Sequence, residues 1–502
     1  MKFPKIKLPV LLLMTFGLTA CSGMTKTEYL INGGGNYYVD PTGAQYQPQK
    51  GDNSDQTLPE GYKDTIAVEN PFVEIKESET ATSNISLTST SFAYTTIREA
   101  INNHRSYDVQ RMVKVEEMLN YFSYGYVNDT ENALTTHLEL DVCPWNNEHY
   151  LASVVVKAKP AITENVKNNI VVLVDKSGSM RGIFDLVKTS LKTLISNIGD
   201  DDTVSIVSYA SGCQVEIEGK SGKDKNELNN VVDSLQAYGS TYGEAGIEKA
   251  YEVAYKYMNA SANNRVVILT DGDFNVGKVT GEQLTDLIKQ KANDGVYLTC
   301  VGYRSYDNGT LYTLANNGNG NAYYVDCELE AKKVFEEEIG KSMFVVAKDA
   351  KCQIEFSNAV NSYRLLGYET RQMSNDEFND TKKDAGEIMS DHTTVALYEI
   401  DLKEEFDNDF IFKTTLRYKD PETEENKEVV NAKTDISVSR SVDYEFASYV
   451  AEYALILQNS KYKGVASFDH LLESIKNENI NDKYRDDFVS LVRKSKDLLT
   501  NN

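Results

Sequence analysis

From residue 167 to about 345 the chain alternates short apolar runs with amphipathic stretches, a pattern that few architectures accept. The run Ile170–Val174 inside "NNIVVLVD" has no polar face, so it must be buried on both sides, as strands of parallel sheets are. "GIFDLVKTSLKTLISNI" then carries helical spacing, "DTVSIVSYA" reads as a strand, and "KNELNNVVDSL" and "GEAGIEKAYEVAYKYM" read as helices. "NRVVILTD" and "GVYLTCVGY" are further strands around the helix "EQLTDLIKQKAND". A shorter turn of helix, the strand "AYYVD" and the helix "ELEAKKVFEEEI" close the unit. Such alternation predicts an α/β fold, a doubly wound parallel sheet with helices on both faces.

Ligand sites in open α/β sheets form at the carboxyl ends of the strands. The first apolar strand ends there in "DKSGS", which offers Asp175, Ser177 and Ser179. "YGSTYGEAG" brings Thr241 to the same edge, in a Gly-flanked loop before a helix. "RVVILTDGD" ends a second apolar strand at Asp271. This all-oxygen donor set suits a small hard cation, Mg²⁺ or Mn²⁺, and disfavours Zn²⁺ and Cu²⁺. With only two carboxylates and several hydroxyls the cation stays under-neutralised and can accept a carboxylate from outside. Gly178 and Gly239 let the loops pack closely around it.

"DKSGS", then Thr241, then "TDGD" resembles the metal-ion-dependent adhesion site (MIDAS) of von Willebrand factor type A (VWA) domains, D-x-S-x-S followed by Thr and by Asp. The resemblance implies a Rossmann-like VWA fold. It also implies one divalent ion at Asp175, Ser177, Ser179, Thr241 and Asp271, and a protein partner that supplies an Asp or Glu. Lys176 departs from the usual small or uncharged residue, and its charge would weaken cation affinity slightly. Outside the α/β unit, "VKVEEMLNYFSYGY", "CPWNNEHYL", "SYRLLGYETR" and "DAGEIMSDHTTVALYEIDL" resemble the flanks of a bacterial VWA lipoprotein family of the cell envelope.

Before the α/β unit, "TIREAINN" and "VQRMVKVEEMLNYF" have helical spacing, and "ALTTHLELDVCPW" and "HYLASVVVKAK" read as strands. After it, "CQIEFS", "YRLLGYE", "TTVALYEIDL" and "FIFKTTLRYK" are strand-like, and residues 441–500 turn helical. There Val442, Phe446, Tyr449, Val450, Tyr453 and Leu457 form one apolar stripe expected in the core. A lone short sheet at 135–158 would leave unpaired edges. The two flanks are therefore expected to pack as one smaller β-rich domain, with the VWA unit as an insertion. The expected organisation is a signal peptide (1–20), a tether (21–70), an N-terminal flank (71–165), the VWA unit (166–345), a β-rich flank (346–440) and C-terminal helices (441–502).

Lys2, Lys5 and Lys7 precede the apolar stretch Leu8–Gly17, which is too short to span a membrane. "LTAC" (18–21) resembles the lipobox of bacterial lipoproteins, in which the chain is cut before the Cys and the thiol is diacylated. Residues 22 to about 70, rich in Gly, Pro, Asn and Gln, read as a flexible tether. The expected location is the cell envelope, lipid-anchored in a membrane, the outer membrane if the cell has two; Ser22 does not suggest inner-membrane retention. The formal net charge of -24 argues against a nucleic-acid groove. Five Cys remain after Cys21, with no CxxC and no Cys/His cluster, so zinc is not expected. Cys300, in an apolar run, reads as a free buried strand residue.

Two other readings stay open. One is a structural envelope protein whose metal site is vestigial or purely stabilising. The other is a metal-assisted phosphohydrolase with Asp175 as nucleophile, but a haloacid-dehalogenase-like motif needs D-x-D, and Ser177 occupies the third position, so the general acid is missing. A non-enzymatic binding module is therefore expected. The lipobox yields a prediction: mass spectrometry of the mature protein finds residues 1–20 absent and Cys21 acylated, and Cys21→Ser releases the chain from the membrane fraction.

Overall fold

The strand Asn168–Asp175 lies in a six-stranded sheet, between Thr203–Tyr209 on one side and Asn263–Thr270 on the other. Val296–Gly302 and Ala322–Tyr324 extend the sheet in parallel beyond Asn263–Thr270. The computed structural model describes residues 68–500, apart from 77–78, 107–108, 129–130, 162–165, 242, 273–280, 304–307, 342–343, 405–408, 437–439 and 477–481. The expected signal peptide, Cys21 and nearly all of the expected tether lie outside the described residues. At the end of the stretch read as tether the chain is already docked, with Asn70 Nδ2 donating to Gly367 O at 2.7 Å.

The apolar run is buried on both faces, as its lack of a polar side requires. Ile170, Val172 and Val174 enter one core with Val187, Leu191 and Leu194 of the helix Phe184–Asn197. Val171 and Leu173 enter a second core with Ile247, Ala250 and Ala254 of the helix Gly243–Lys256. The sheet is mixed in one respect that the sequence reading does not include. Cys213–Ser221 forms an antiparallel edge strand beside Thr203–Tyr209. Its Val215 and Ile217 alternate with Gln214, Glu216 and Glu218, the mark of a half-buried edge, and two apolar residues are a faint signal.

The flanks join across the inserted unit. Asn146–Ala158 from the N-terminal side pairs with Thr393–Leu402 from the C-terminal side, and Ala81–Ser86 pairs with Val345–Phe356. Two antiparallel sheets result, and they bury Val154, Val156, Ile354, Phe356, Tyr398 and Leu416 in one core. The opposite face of the first sheet presents Leu151, Val155, Val395 and Leu397 to a layer of helices. That layer draws on both ends of the chain: Phe92–Asn102, Val109–Met112 and Val115–Asn120, then Val442–Gln458, Phe468–Ile475 and Lys483–Thr500. Phe446, Tyr449, Val450, Tyr453 and Leu457 are buried there as expected. Val442 is not: it directly follows the N-cap Ser441 and is 61% exposed.

A buried ion cluster fastens the VWA unit to the helical layer. Arg98, on the helix Phe92–Asn102, donates to Asp326 Oδ2 (2.8 Å), Glu330 Oε2 (2.8 Å) and Asp487 Oδ2 (2.9 Å). Tyr121 OH donates to the same Glu330 oxygen at 2.7 Å. The five described cysteines are all free, and Cys300 is buried in its strand.

A second buried acid organises the flank. Glu399 accepts from Trp145 Nε1 at 3.2 Å, from Arg364 NH2 at 2.9 Å, and pairs with His149 Nδ1 at 2.8 Å. The hydrogen bond to Glu399 raises the His149 imidazole above its usual range, against the opposing effect of partial burial. Burial works against the Glu399 charge too, but the bonds from His149 and Arg364 hold its carboxyl below the ordinary carboxylate range. A raised histidine stabilises the fold fully below the unfolded value of about 6.5, and that contribution disappears as pH rises through the folded value. The urea midpoints of wild type and His149→Gln should therefore differ more at pH 6 than at pH 9; an equal difference at both would show that the pair does not titrate with folding.

Candidate functional site

The order of the parallel sheet puts its switch point between Asn168–Asp175 and Asn263–Thr270, because successive connections leave these two strands in opposite directions. Asp175 and Asp271 stand at the carboxyl ends of these two strands. Asp175 has no solvent exposure, Ser177 is 1% exposed and Asp271 is 3% exposed. Ser179 is exposed on the short 3-10 turn Gly178–Gly182, and Thr241 is partly exposed.

Asp175 is held from three directions. Oδ1 accepts the Ser177 N–H at 2.8 Å. Oδ2 accepts the Tyr209 hydroxyl at 3.0 Å and the Thr270 hydroxyl at 3.2 Å. Burial pushes the Asp175 carboxyl above its usual range; the Ser177 and Tyr209 bonds oppose this, and the nearby Asp271 charge adds to it. A positive ion at this edge would relieve both the desolvation and the repulsion.

Ser177 Oγ and Ser179 Oγ lie 3.0 Å apart. The two hydroxyls are hydrogen-bonded to each other, and the same spacing is close to the roughly 2.9 Å between adjacent corners of an octahedron with metal–oxygen distances of about 2.0–2.1 Å, so the pair is compatible with a Mg²⁺-sized ion. The loop 238–241 is drawn against them: Gly178 N–H donates to Gly239 O at 2.9 Å, and Tyr238 N–H donates to Lys176 O at 2.7 Å. Gly239 has φ +93°, where a side chain is strained, and an added Cβ would stand 2.8 Å from Ser211 Oγ. This contact sets the stretch that carries Thr241. Among the described residues no group of three or more His, Cys, Asp or Glu side chains is placed to hold a metal, so a cation here depends on the hydroxyls.

Lys176 stands differently from the sequence expectation. Its ammonium pairs with Glu216 Oε1 at 2.8 Å, and the same oxygen accepts from Ser208 Oγ at 2.6 Å. The charge expected to weaken cation affinity is thus offset by a carboxylate on the edge strand. The sequence reading also missed Tyr209 and Thr270. Both lie at strand ends level with Asp175: Asp175 pairs with Tyr209 in register, and Val174 with Leu269. The signal was a polar residue closing each apolar strand. Gly246 serves the same arrangement, since a Cβ there would come within 2.9 Å of Tyr209 Cβ. Tyr209→Phe removes one donor from a fully buried carboxylate and should lower stability by about 1–3 kcal/mol; urea denaturation at neutral pH, without added metal, measures it.

Family models match the central unit and both flanks. The family model described as von Willebrand factor type A domain matches residues 169–337, and one described as von Willebrand factor matches 59–153. A third, described as Uncharacterized protein YfbK, C-terminal, matches 341–498. Among relatives, the YfbK protein of Escherichia coli (strain K12) is 32% identical over 460 residues, covering 84% of this chain and 79% of its own length. The voltage-dependent calcium channel subunit alpha-2/delta-2 of Mus musculus is 25% identical over 244 residues, 45% of this chain and 20% of the mouse protein. A solved von Willebrand factor type A structure from Catenulispora acidiphila covers 74% of this chain and 92% of its own at 15% identity, with a TM-score of 0.39. VWA domains commonly mediate protein–protein interaction through a MIDAS. With the flanks and the central unit all matched, the chain belongs to the YfbK family of bacterial VWA-domain proteins.

Proposed function

We propose that this protein is an envelope lipoprotein, anchored through Cys21, whose VWA unit holds a partner protein through a divalent cation. The ion, Mg²⁺ or Mn²⁺, is bound by Ser177, Ser179 and Thr241, with Asp175 and Asp271 acting directly or through water. The observation that carries the reading is the pair of hydroxyls 3.0 Å apart beside a buried Asp175 at the switch point of the sheet. Both Asp175 oxygens already accept hydrogen bonds, which favours contact through water for this residue. Two carboxylates leave a divalent ion and several of its waters available. An Asp or Glu of the partner replaces one water and adds a third negative charge. Metal and partner then bind with positive coupling, each raising affinity for the other by the same factor.

Ser177 occupies the place where a phosphohydrolase of the D-x-D type needs a second carboxylate as general acid. The proposed role is accordingly binding and not catalysis.

Calorimetry with Mg²⁺ and Mn²⁺ tests the proposal. Wild type should bind one ion weakly, and more tightly in the presence of a carboxylate ligand. Ser177→Ala should lower metal affinity with the fold intact, and Asp271→Ala should lower it further by removing one of two carboxylates. Absence of binding at about millimolar metal, even with a carboxylate present, would favour a structural protein in which hydrogen bonds alone hold Asp175; that concentration corresponds to a binding free energy of only about -4 kcal/mol.

A further inference from the structure

Tyr238 opens the loop that carries Thr241, yet the metal site makes no use of it. It is 57% exposed, an unusual position for a large aromatic residue. It is nevertheless fixed. Its N–H donates to Lys176 O at 2.7 Å, and the next residue, Gly239, accepts from Gly178 N–H at 2.9 Å. Two backbone hydrogen bonds therefore tie Tyr238 to the loop bearing Ser177 and Ser179. Lys176 Nζ lies 5.6 Å from the Tyr238 ring centroid, and Glu216 holds that ammonium in place. Lys176 is only 8% exposed, so the cation supports the ring from beneath and offers little surface of its own.

The charge around the ring is equally uneven. The stretches 176–182, 209–213 and 238–241, which converge at this edge, contain Lys176 and Arg181 and no Asp or Glu. This occurs in a chain of net charge -24. Arg181 is exposed, as are Ser179, Ser211 and Ser240. Asp175 and Asp271 at the same edge are buried and Lys176 is paired with Glu216, so Arg181 is the exposed charge of these stretches and favours an acidic segment.

We infer that Tyr238 is the second contact of the docked partner, selecting a protein segment in which the metal-binding Asp or Glu is followed by a flat aromatic side chain. The inference rests on the metal-dependent reading above. A Tyr held by its backbone gives contact area with little conformational entropy to lose, which is why Tyr is common at the energetic centres of interfaces. The Lys176 ammonium already takes up the ring's attraction for a cation, so a second cation gains little there. An aromatic ring gains an offset or edge-to-face contact on the exposed part. Lys176 and Glu216 are positioning residues in this scheme, since they act on the partner through Tyr238.

The test is calorimetry on the full chain in Mn²⁺ with three end-blocked peptides, in which a central Asp is followed by Phe, Ser or Arg. Wild type should bind the Asp-Phe peptide about three- to tenfold more tightly than the Asp-Ser peptide, with no gain for Asp-Arg. Tyr238→Ala should abolish the Phe preference and Tyr238→Phe should keep it, with Mn²⁺ affinity alike in all three proteins. If wild type binds Mn²⁺ but shows no Phe preference, including by binding none of the peptides, the role of Tyr238 is overturned while the metal site stands. If Tyr238→Ala keeps the preference, the role is overturned in the same way. If wild type binds no Mn²⁺, the metal-dependent reading fails and this inference fails with it.

Discussion

A carboxylate with no solvent contact lies at the end of the central strand, and the neighbouring elements are arranged around it. Burying an ionised carboxyl costs several kcal/mol unless donors or a cation meet it. Asp175 is met by the Ser177 N–H from its own loop, Tyr209 from one neighbouring strand and Thr270 from the other. Three separate segments must therefore end at one level. The register that achieves this pairs Asp175 with Tyr209 and Val174 with Leu269. It is maintained by the strand's alternate side chains, which lock into two separate cores. A slip of one residue would exchange those faces and carry Asp175 away from its donors.

The VWA unit enters after the strand Asn146–Ala158 and leaves before Val345–Phe356, so its ends are tied into two sheets of one flank structure. Arg98 adds a third tie. Its guanidinium is 1% exposed and faces Asp326, Glu330 and Asp487, residues that come from the VWA unit and from the last helix. Such a cluster contributes little net stability compared with a well-packed apolar contact, but loss of one member leaves buried charges uncompensated. Its directional bonds, absent from an apolar contact, favour one orientation of the unit on its base. Asp326 lies two residues beyond the strand Ala322–Tyr324, so the outer end of the sheet is held where the helices begin.

The parts of the fold legible in the sequence were those where burial is two-sided or strictly periodic. "NNIVVLVD", "NRVVILTD" and "TTVALYEIDL" became the strands Asn168–Asp175, Asn263–Thr270 and Thr393–Leu402, because short runs rich in β-branched and apolar residues fit a sheet interior. The joining of the flanks followed from edges that would otherwise stay open. Local pattern could not reveal what depends on distant partners. The edge strand Cys213–Ser221 has two inward apolar residues and no helical or long apolar signature. "VQRMVKVEEMLNYF" has helical spacing, yet it forms two short helices, Val109–Met112 and Val115–Asn120, with Lys114 extended before the second. Of the candidate site, Asp175, Ser177, Ser179 and Asp271 were read as polar residues where apolar strands end, and Thr241 from its Gly-flanked loop. Tyr209 and Thr270 were not, since their role appears only once the neighbours of the central strand are known.

Lys176 illustrates the same dependence. Between Asp175 and Ser177 a lysine looks like a competitor for any cation. In the structure its ammonium and Glu216 form a pair whose side chains are 10% and 13% exposed. The pair is neutral as a unit, so the field at the strand ends is set by Asp175 and Asp271. Glu216 lies on the antiparallel strand that closes the sheet, which gives that strand two duties. Its charged residues Glu218 and Lys220 discourage another chain from adding to the open edge. Its inner carboxylate holds the lysine that would otherwise oppose a metal. A substitution at Lys176 or Glu216 alone leaves the other as an unpaired, largely buried charge, so the two positions depend on each other.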